Sequence, residues 1–339
     1  MEPTQRARAH ELGIHVGQLP SGSLDAITDV RGVSVGHATR RAGALNTGVT
    51  VVLPHGENPL QRRLNAALEV QNGFGKFVGA TQLMELGELE SPIALTSTLS
   101  VHRVADAVLD WVLAQPGNEH VTSVNVVVGE TNDGQLSDIR QRAVGADEVA
   151  AAMANAAAGA FAVGSVGAGA GTTAFGWKGG IGTSSRLVDG FTIGVLVQTN
   201  FGGRLIANGA EVTGEWYSRS GASPQGQDHG GSCVIVIAVD APLDQASLGR
   251  IARRSFAGMA RTGASFSHGS GDYAVAFSTA SQSAHSLRGD ALSGLFVAVA
   301  DAAEQAILDS LSAAVTTAGP GQKAVAIPHE ALRGLPAPD

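Results

Sequence analysis

Apolar positions in the first half of the chain alternate between strand-like and helical spacing. Short β-rich runs over Gly48–Pro54, Val121–Val128 and Phe191–Asn200 are typical of strands. Val101–Gln115 repeats apolar residues at helical spacing, and the alanine-rich segment Asp147–Ala158 has acidic residues in its first turn, which favours a helix. The first half therefore predicts a mixture of strands and helices.

A polar linker meets a strongly apolar run in the second half. Residues 218–231 (SRSGASPQGQDHGG) are rich in Gly, Ser and polar side chains and contribute nothing to a core. Cys233–Val239 follows almost at once and is apolar on both alternating faces, so this strand is expected to be covered on both sides. The pattern beyond it predicts a helix over 241–260 capped by Asp240, a strand over 272–278 and a helix over 292–314. Such elements favour an α+β fold with sheets stacked between helical layers.

Composition narrows the class of protein. The 339 residues are 44% hydrophobic, enough for a substantial core, and the net charge of −8 argues against nucleic-acid partners. The first residues carry no apolar signal core, and no uninterrupted apolar run approaches the roughly 18 residues of a membrane span. One cysteine, Cys233, excludes an intrachain disulfide framework. These features predict a protein of the cytoplasm without membrane partners.

Common catalytic signatures are missing from the sequence. It contains no phosphate-binding GxxxxGK[ST] loop, no GxSxG elbow and no HExxH zinc motif. Gly167–Gly171 (GAGAG) lacks the lysine and the strand-to-helix context of a nucleotide loop, so we interpret it as close backbone packing near the pocket. We therefore expect neither a metal nor a cofactor.

The junction of linker and buried strand offers a different chemistry. Ser232 follows Gly231, whose missing Cβ would leave the preceding carbonyl open to attack by the serine hydroxyl. Attack would give an ester, and hydrolysis would free a serine amine with a pKa of about 7.7–8.0, suited to accept a proton from its own hydroxyl. Taken alone, the same residues are more typical of a turn before a strand.

Nine collinear sequence blocks resemble one known family, the DmpA-type L-aminopeptidase/D-esterase and β-peptidyl aminopeptidase family. The resemblance runs over about residues 20–320 and implies a single αββα domain spanning 1–339, layered like N-terminal-nucleophile hydrolases but connected differently. It also implies self-cleavage into chains 1–231 and 232–339 that stay together. The blocks are 23–39, 46–54, 89–101, 127–138, 164–186, 192–202, 231–243, 250–263 and 268–279.

The resemblance assigns roles to particular positions. Ser232 corresponds to the nucleophile of both self-cleavage and hydrolysis, while Ser270 and Asp272 correspond to a second serine and a carboxylate that orient it. Asn200 matches the side-chain donor of an oxyanion hole, and Glu130 matches the acid that receives the free ammonium group of the substrate. Such an acid favours aminopeptidase over endopeptidase action, because an internal peptide bond offers no cation to pair with it.

One position departs from the family pattern. Some members have an active-site aromatic residue two positions after the glutamate, where this chain has Asn132. The substrate preference and part of the oxyanion environment are therefore open. Cys233, beside the nucleophile, is interpreted as a small buried core residue.

Three functions remain possible on the sequence. The leading prediction is a self-cleaving serine aminopeptidase acting on short peptides, amino-acid amides or esters, including D- or β-amino acid substrates, and assembled as a homo-oligomer of processed heterodimers. An acyltransferase of the ornithine-acetyltransferase type is the second, although that type uses threonine where this chain has Ser232. An unprocessed small-molecule-binding protein is the third.

Overall fold

The computed structural model describes residues 6–222, 231–282, 285–333 and 335. Its strands are β1 (Ser34–Ala42), β2 (Leu45–Leu53), β3 (Leu64–Gly73), β4 (Glu88–Leu89), β5 (Ile93–Ser97), β6 (Val127–Thr131), β7 (Thr173–Ala174), β8 (Trp177–Lys178), β9 (Ile181–Val188), β10 (Phe191–Asn200), β11 (Ile206–Ala207), β12 (Ala210–Glu211), β13 (Ser232–Val239), β14 (Gly271–Ser278), β15 (Thr317–Gly319) and β16 (Gln322–Ala324). Its α-helices are α1 (Ala80–Glu85), α2 (Val101–Leu113), α3 (Ala146–Ala154), α4 (Gly214–Ser220), α5 (Gln245–Arg261), α6 (Ser293–Ser312) and α7 (His329–Arg333).

Two sheets form the centre of the molecule. The smaller has the order β1-β2-β5-β6, and the larger has the order β4-β3-β14-β13-β10-β9. Helices α2 and α3 pack on the smaller sheet, and α5 and α6 pack on the larger one. The layers are therefore helix, sheet, sheet, helix, which confirms the predicted αββα sandwich.

Alternation along β13 explains why the layers stack in this way. Cys233, Ile235, Ile237 and Val239 belong to the core under α5 and α6. Val234, Val236 and Ala238 belong to the core between the two sheets. Because successive strand residues point to opposite faces, an entirely apolar strand needs cover on both sides. The expectation that β13 is covered on both faces is confirmed.

Most predicted elements lie where the pattern placed them, with two corrections. Strand β6 begins at Val127, so the predicted strand from Val121 is wrong over its first six positions. Helix α5 begins after Asp244, whose carboxylate accepts a hydrogen bond from the Ser247 amide at 2.9 Å, and Asp240 is therefore not its cap. Asp240 instead accepts a bond from the Thr192 amide of β10 at 2.7 Å.

The glycine-rich segment is packed as the sequence indicated. Gly167–Gly169 forms a buried 3₁₀ turn, and Gly167 has a φ of +49°. A Cβ on Gly167 would lie 2.4 Å from Thr50 Oγ1, so only glycine fits this approach of the turn to β2. The segment is a packing device between the two sheets.

One helix in the described part of the chain is long and apolar enough to cross a membrane. It spans Gly289–Ser312, which contains α6, and 67% of its apolar window is buried inside the protein. Because α6 packs against α5, β9 and β10, its apolar character is that of a core helix.

Candidate active site

Three neighbouring inner strands of the larger sheet, β10, β13 and β14, have ends that lie side by side along one edge where the strands terminate. Ser232 is the first residue of β13, and its partners on either side are Asn200 of β10 and Gly271 of β14. Since β10 is antiparallel to β13 and β14 is parallel to it, the end of β10 meets the beginnings of the other two strands. The topology thus gathers Ser232, Asn200 and the segment around Gly271 from distant parts of the sequence.

The bond between Gly231 and Ser232 is held in a tight environment. The Ser232 hydroxyl donates a hydrogen bond to the Gly231 carbonyl oxygen at 2.6 Å, and the Gly271 amide donates to the same oxygen at 3.1 Å. A Cβ on Gly231 would lie 3.1 Å from the backbone of Phe201. Close approach, rather than a positive φ, is therefore what favours glycine here.

Ser270 and Asp272 form a hydrogen-bonded pair beneath this edge. The Ser270 hydroxyl donates to Asp272 Oδ1 at 2.7 Å, and both residues are buried. Ser270 precedes β14 rather than lying in it, so the pair arises at the strand entrance. Burial raises the pKa of Asp272 to about 6, although the hydrogen bond from Ser270 acts in the opposite direction. Among the described residues, none donates to Asp272 Oδ2.

Ser232 stands apart from this pair in the continuous chain. Within the described ranges, no hydrogen bond connects Ser232 to Ser270 or Asp272. The Gly271 amide, 3.4 Å from Ser232 Oγ, is the nearest link between them. The contact by which Ser270 and Asp272 would orient Ser232, expected from the resemblance, is thus formed only in part.

Asn72 at the end of β3 anchors the loop that carries Ser270. Its Nδ2 donates to the carbonyl oxygens of Ser267 at 3.4 Å and His268 at 2.9 Å, and also to that of Ser270. A single amide thereby fixes three loop carbonyls. No sequence signal marks this residue, because a polar side chain at a strand end has no spacing signature.

Asn200 has a defined orientation beside Ser232. Its Oδ1 accepts a hydrogen bond from the Thr173 amide at 3.1 Å, which identifies Nδ2 as the donor end. No hydrogen bond of the described residues uses that Nδ2 group. The amide is therefore available as an unoccupied donor at the edge where Ser232 lies.

Glu130 comes from the smaller sheet and faces the same region. It is 2% exposed, and its Oε1 accepts a hydrogen bond from the Lys76 amide at 3.0 Å, with Lys76 Nζ at 3.6 Å. Tyr273 lies nearby, and burial together with the charges of Glu130 and Asp272 raises its pKa to about 12. The site is consequently acidic, with one lysine at its rim.

A cleft of about 990 Å³ lies between Ser232 of the larger sheet and Glu130 of the smaller one. It contains three of the predicted residues, Ser232, Glu130 and Asn132, whereas Ser270, Asp272 and Asn200 lie outside its lining. Asn132 turns its Oδ1 onto the Gly134 amide at 2.9 Å, so it caps its own loop. The remaining lining residues were not predicted: Gly73, Phe74, Gly75, Lys76, Thr98, Leu99, Ser267, His268 and Gly269.

The missed residues share a recognisable origin. Gly73–Lys76 follows the end of β3, where a glycine-rich, aromatic run at a strand end is typical of a binding loop. Among the described residues, no cluster of three or more His, Cys, Asp or Glu side chains has the arrangement of a metal site. Cys233 is fully buried and its thiol pKa is raised by burial, in keeping with a core residue.

The sequence profile of peptidase family S58 matches residues 25–325. The chain belongs to peptidase family S58. It is 38% identical to the β-peptidyl aminopeptidase BapA of Sphingosinicella microcystinivorans, over 97% of this chain and 91% of that one. This S58 chain is therefore a serine-type peptidase and an aminopeptidase of the N-terminal-nucleophile type.

Solved structures of S58-like enzymes agree with the fold. A β-aminopeptidase from Burkholderia sp. superposes with a TM-score of 0.89 at 35% identity, covering 96% of this chain and 97% of that one. The L-aminopeptidase D-Ala-esterase/amidase of Ochrobactrum anthropi, described as a variant of the Ntn-hydrolase fold, gives a TM-score of 0.85 at 30% identity with the same coverage. These likenesses favour the aminopeptidase over the acyltransferase and the unprocessed binding protein.

Proposed function

We propose that this S58 aminopeptidase cleaves itself between Gly231 and Ser232, into chains of 231 and 108 residues, and uses the freed Ser232 as its nucleophile. The observation that carries the proposal is the hydrogen bonding of the Gly231 carbonyl by both Ser232 Oγ and the Gly271 amide. A serine is thus held against its own preceding peptide bond, at the mouth of a substrate-sized cleft.

The geometry supports self-cleavage by transfer of the Gly231 acyl group from nitrogen to oxygen. Ser232 Oγ attacks the Gly231 carbonyl carbon, and the Gly271 amide stabilises the negative charge that develops on the carbonyl oxygen. The C–N bond then breaks, the Ser232 nitrogen takes up a proton, and an ester joins Gly231 to Ser232 Oγ. Water hydrolyses the ester, which leaves a carboxylate on Gly231 and a free amine on Ser232.

Peptide hydrolysis repeats the chemistry with an external bond. The freed amine, with a pKa near that of an ordinary chain terminus at about 7.7–8.0, accepts the proton of Ser232 Oγ as the hydroxyl attacks the substrate. The pair of Ser270 and Asp272 orients this terminus, and Asp272 Oδ2 provides an unused acceptor for it. Asn200 Nδ2 is the side-chain donor for the oxyanion, and the leaving amine departs with the transferred proton. Water then hydrolyses the acyl ester on Ser232 Oγ, which releases the acid and restores the hydroxyl.

Glu130 selects substrates that carry a free terminal ammonium group. Its buried carboxylate lines the same cleft as Ser232 and pairs with a cation there, which an internal peptide bond lacks. The names of the related β-aminopeptidases support β-aminoacyl amides as substrates, and that of the Ochrobactrum enzyme supports L-aminoacyl amides and D-alanyl esters. Asn132, which caps its own loop, leaves Phe74 and Leu99 as the larger apolar groups beside the substrate.

Assembly and location complete the proposal. The processed heterodimers associate into a larger oligomer, as the exposed apolar side chains of Val70, Met84 and Leu86 support. The enzyme acts in the cytoplasm, where its single buried cysteine needs no oxidising conditions. Sedimentation of the purified enzyme tests the assembly, and a mass of one heterodimer would contradict it.

Substitution of the nucleophile tests the proposed chemistry. Ser232→Ala is expected to leave one 339-residue chain on a denaturing gel and to abolish hydrolysis of L-, D- and β-aminoacyl p-nitroanilides, a loss of about 10⁴-fold or more. Ser267→Ala, which removes another cleft serine, is the matched control and is expected to be processed and active. Processing at Gly231 in the Ser232→Ala variant would disprove the assignment.

A further inference from the structure

The cation already paired with Glu130 is Lys76, and it comes from a segment that bridges the two sheets. Val78 in this segment exchanges backbone hydrogen bonds with Val128 at the edge of β6. The Lys76 amide donates to Glu130 Oε1 at 3.0 Å, and Lys76 Nζ lies 3.6 Å from the same oxygen. The backbone contact therefore holds the glutamate in place whether or not the lysine side chain stays there.

The two partners differ sharply in freedom. The Glu130 side chain is 3% exposed, whereas the Lys76 side chain is 43% exposed and reaches the cleft rim. Its ammonium group also donates a hydrogen bond to the Thr98 hydroxyl at 2.6 Å, so Glu130 is not its sole partner. A long, solvated lysine can move at little cost, but the buried carboxylate cannot.

Only one oxygen of Glu130 is occupied by these contacts. Among the described residues, no donor reaches Oε2. An ammonium group arriving at Oε2 would lie next to Lys76 Nζ on the same carboxylate, and two like charges at that separation repel each other. Binding of one cation must therefore weaken the hold on the other.

We propose that the Lys76 ammonium group is a built-in competitor that occupies the ammonium site of Glu130 and is displaced by the substrate. This rests on the proposed binding of the substrate ammonium group at Glu130. Lys76 thereby weakens binding of every amine-bearing ligand, substrate and released amino acid alike. Ligands without the amine gain nothing from displacing it.

The pair also sets how binding responds to salt. With Lys76 in place, Glu130 and the lysine form a neutral unit, so ionic strength has little effect on the arrival of a cation. Without the lysine, the carboxylate attracts a cation through a field that salt screens over about 10 Å at 0.1 M. Salt dependence of KM therefore reports whether the lysine neutralises the site.

The experiment uses the processed enzyme and compares Lys76→Met with Lys323→Met. Both variants lose one lysine charge, but Lys323 lies in β16 and does not line the cleft. For an L-aminoacyl p-nitroanilide at low salt, Lys76→Met is expected to lower KM about three- to tenfold with kcat within twofold. Lys323→Met is expected to match the wild type, and Lys76→Arg, which keeps the charge, is expected to restore the wild-type KM.

Two further measurements vary the salt concentration and the amine of the substrate. The gain in Lys76→Met should disappear at about 0.5 M salt, where the screening length falls to a few ångströms, and should be absent with an acyl p-nitroanilide that lacks the amine. A raised KM, an equal effect on both substrates, or a match to Lys323→Met would overturn the proposal.

Binding without catalysis separates this inference from the proposed function. An L-aminoacyl amide is titrated calorimetrically into Ser232→Ala and into the double variant Lys76→Met, Ser232→Ala. Tighter binding by the double variant supports the competitor role even if the wild type proves inactive, in which case the proposed function alone fails. Equal or weaker binding overturns the competitor role while leaving hydrolysis by the wild type unaffected.

Discussion

Two buried carboxylates in different parts of the molecule share one electrostatic property and differ in their partners. Asp272 lies at the nucleophile edge and Asp309 lies in α6, and both are fully buried. Burial raises the pKa of each to about 6. Asp309, however, is fully bonded, with Arg8 Nε at 2.6 Å from one oxygen and the Ala9 amide at 2.8 Å from the other.

The difference lies in the unused oxygen. The Ser270 hydroxyl donates to Asp272 Oδ1 and the Cys233 backbone amide also lowers the pKa of Asp272, but no described residue donates to its Oδ2. A fully bonded buried charge fixes structure, whereas a buried acceptor without a partner carries a cost that structure alone does not explain. The pKa shift is therefore the same in both regions, and only hydrogen bonding distinguishes the carboxylate of the candidate site from the structural one.

The largest expected effect is on catalysis by Asp272. Asp272→Asn keeps the shape but removes the charge that orients the freed Ser232 terminus, so both self-cleavage and kcat should fall roughly 10³- to 10⁴-fold. Rates of processing on a gel and of aminoacyl p-nitroanilide hydrolysis measure the two losses.

A double-variant cycle sharpens this expectation. If Ser270 and Asp272 act as one unit, Ser270→Ala combined with Asp272→Asn should cost little more than Asp272→Asn alone. If the rate losses of the two single variants multiply in the double variant, Ser270 and Asp272 act independently. Their hydrogen bond would then not distinguish Asp272 from Asp309.

The second largest effect is expected on the free energy of unfolding when Asp309 loses its arginine partner. Arg8→Met removes the partner of Asp309 and three further hydrogen bonds from the guanidinium group, to the carbonyls of Leu24, Asp25 and Thr183. Leaving a buried carboxylate unpaired should lower the free energy of unfolding by about 3–4 kcal/mol. Urea denaturation in a Ser232→Ala background, where the chain stays whole, measures it.

The controls for Arg8 distinguish structure from catalysis. Arg31→Met, at an exposed arginine, should change the free energy of unfolding by no more than about 0.5 kcal/mol. In the processed enzyme, Arg8→Met should leave kcat within twofold. A fall in kcat as large as that of Asp272→Asn would contradict the structural role of this region.

The sequence predicted the fold well because layers follow from local patterns. The alternation of β13 required cover on both faces, and the observed cores on its two sides provide it. Asp240 was misread as a cap because an acidic residue after a strand serves a helix or a neighbouring strand equally well, and here it bonds β10. Helix starts of this kind depend on loop length, which the pattern does not encode.

The site was predicted only as far as the family resemblance reached. Ser232, Asn200 and Glu130 come from β13, β10 and β6, and nothing in their spacing indicates that two sheets bring them to one region. Asn72 and Lys76 were missed because their roles depend on contacts across the fold, to loop carbonyls and to Glu130. Long-range contacts of this kind leave no periodic signal.

The smallest expected effect is a pH-dependent gain in stability from removing the unsatisfied carboxylate. With a folded pKa of about 6 against an ordinary value of 3.8, Asp272 binds more protons in the folded state than in the unfolded state between these two pH values. Stability from this group is therefore full below about pH 4 and falls as pH rises to about 6.

Two pKa units correspond to about 3 kcal/mol. In the Ser232→Ala background, Asp272→Asn should gain up to that amount relative to the parent between pH 4 and pH 7, as measured by urea denaturation at both values. Asp309 keeps its own transition in both proteins, so it cancels in the difference. A difference that does not change with pH would mean that the pKa of Asp272 is not raised in the folded protein, and the contrast between the two regions would then rest on catalysis alone.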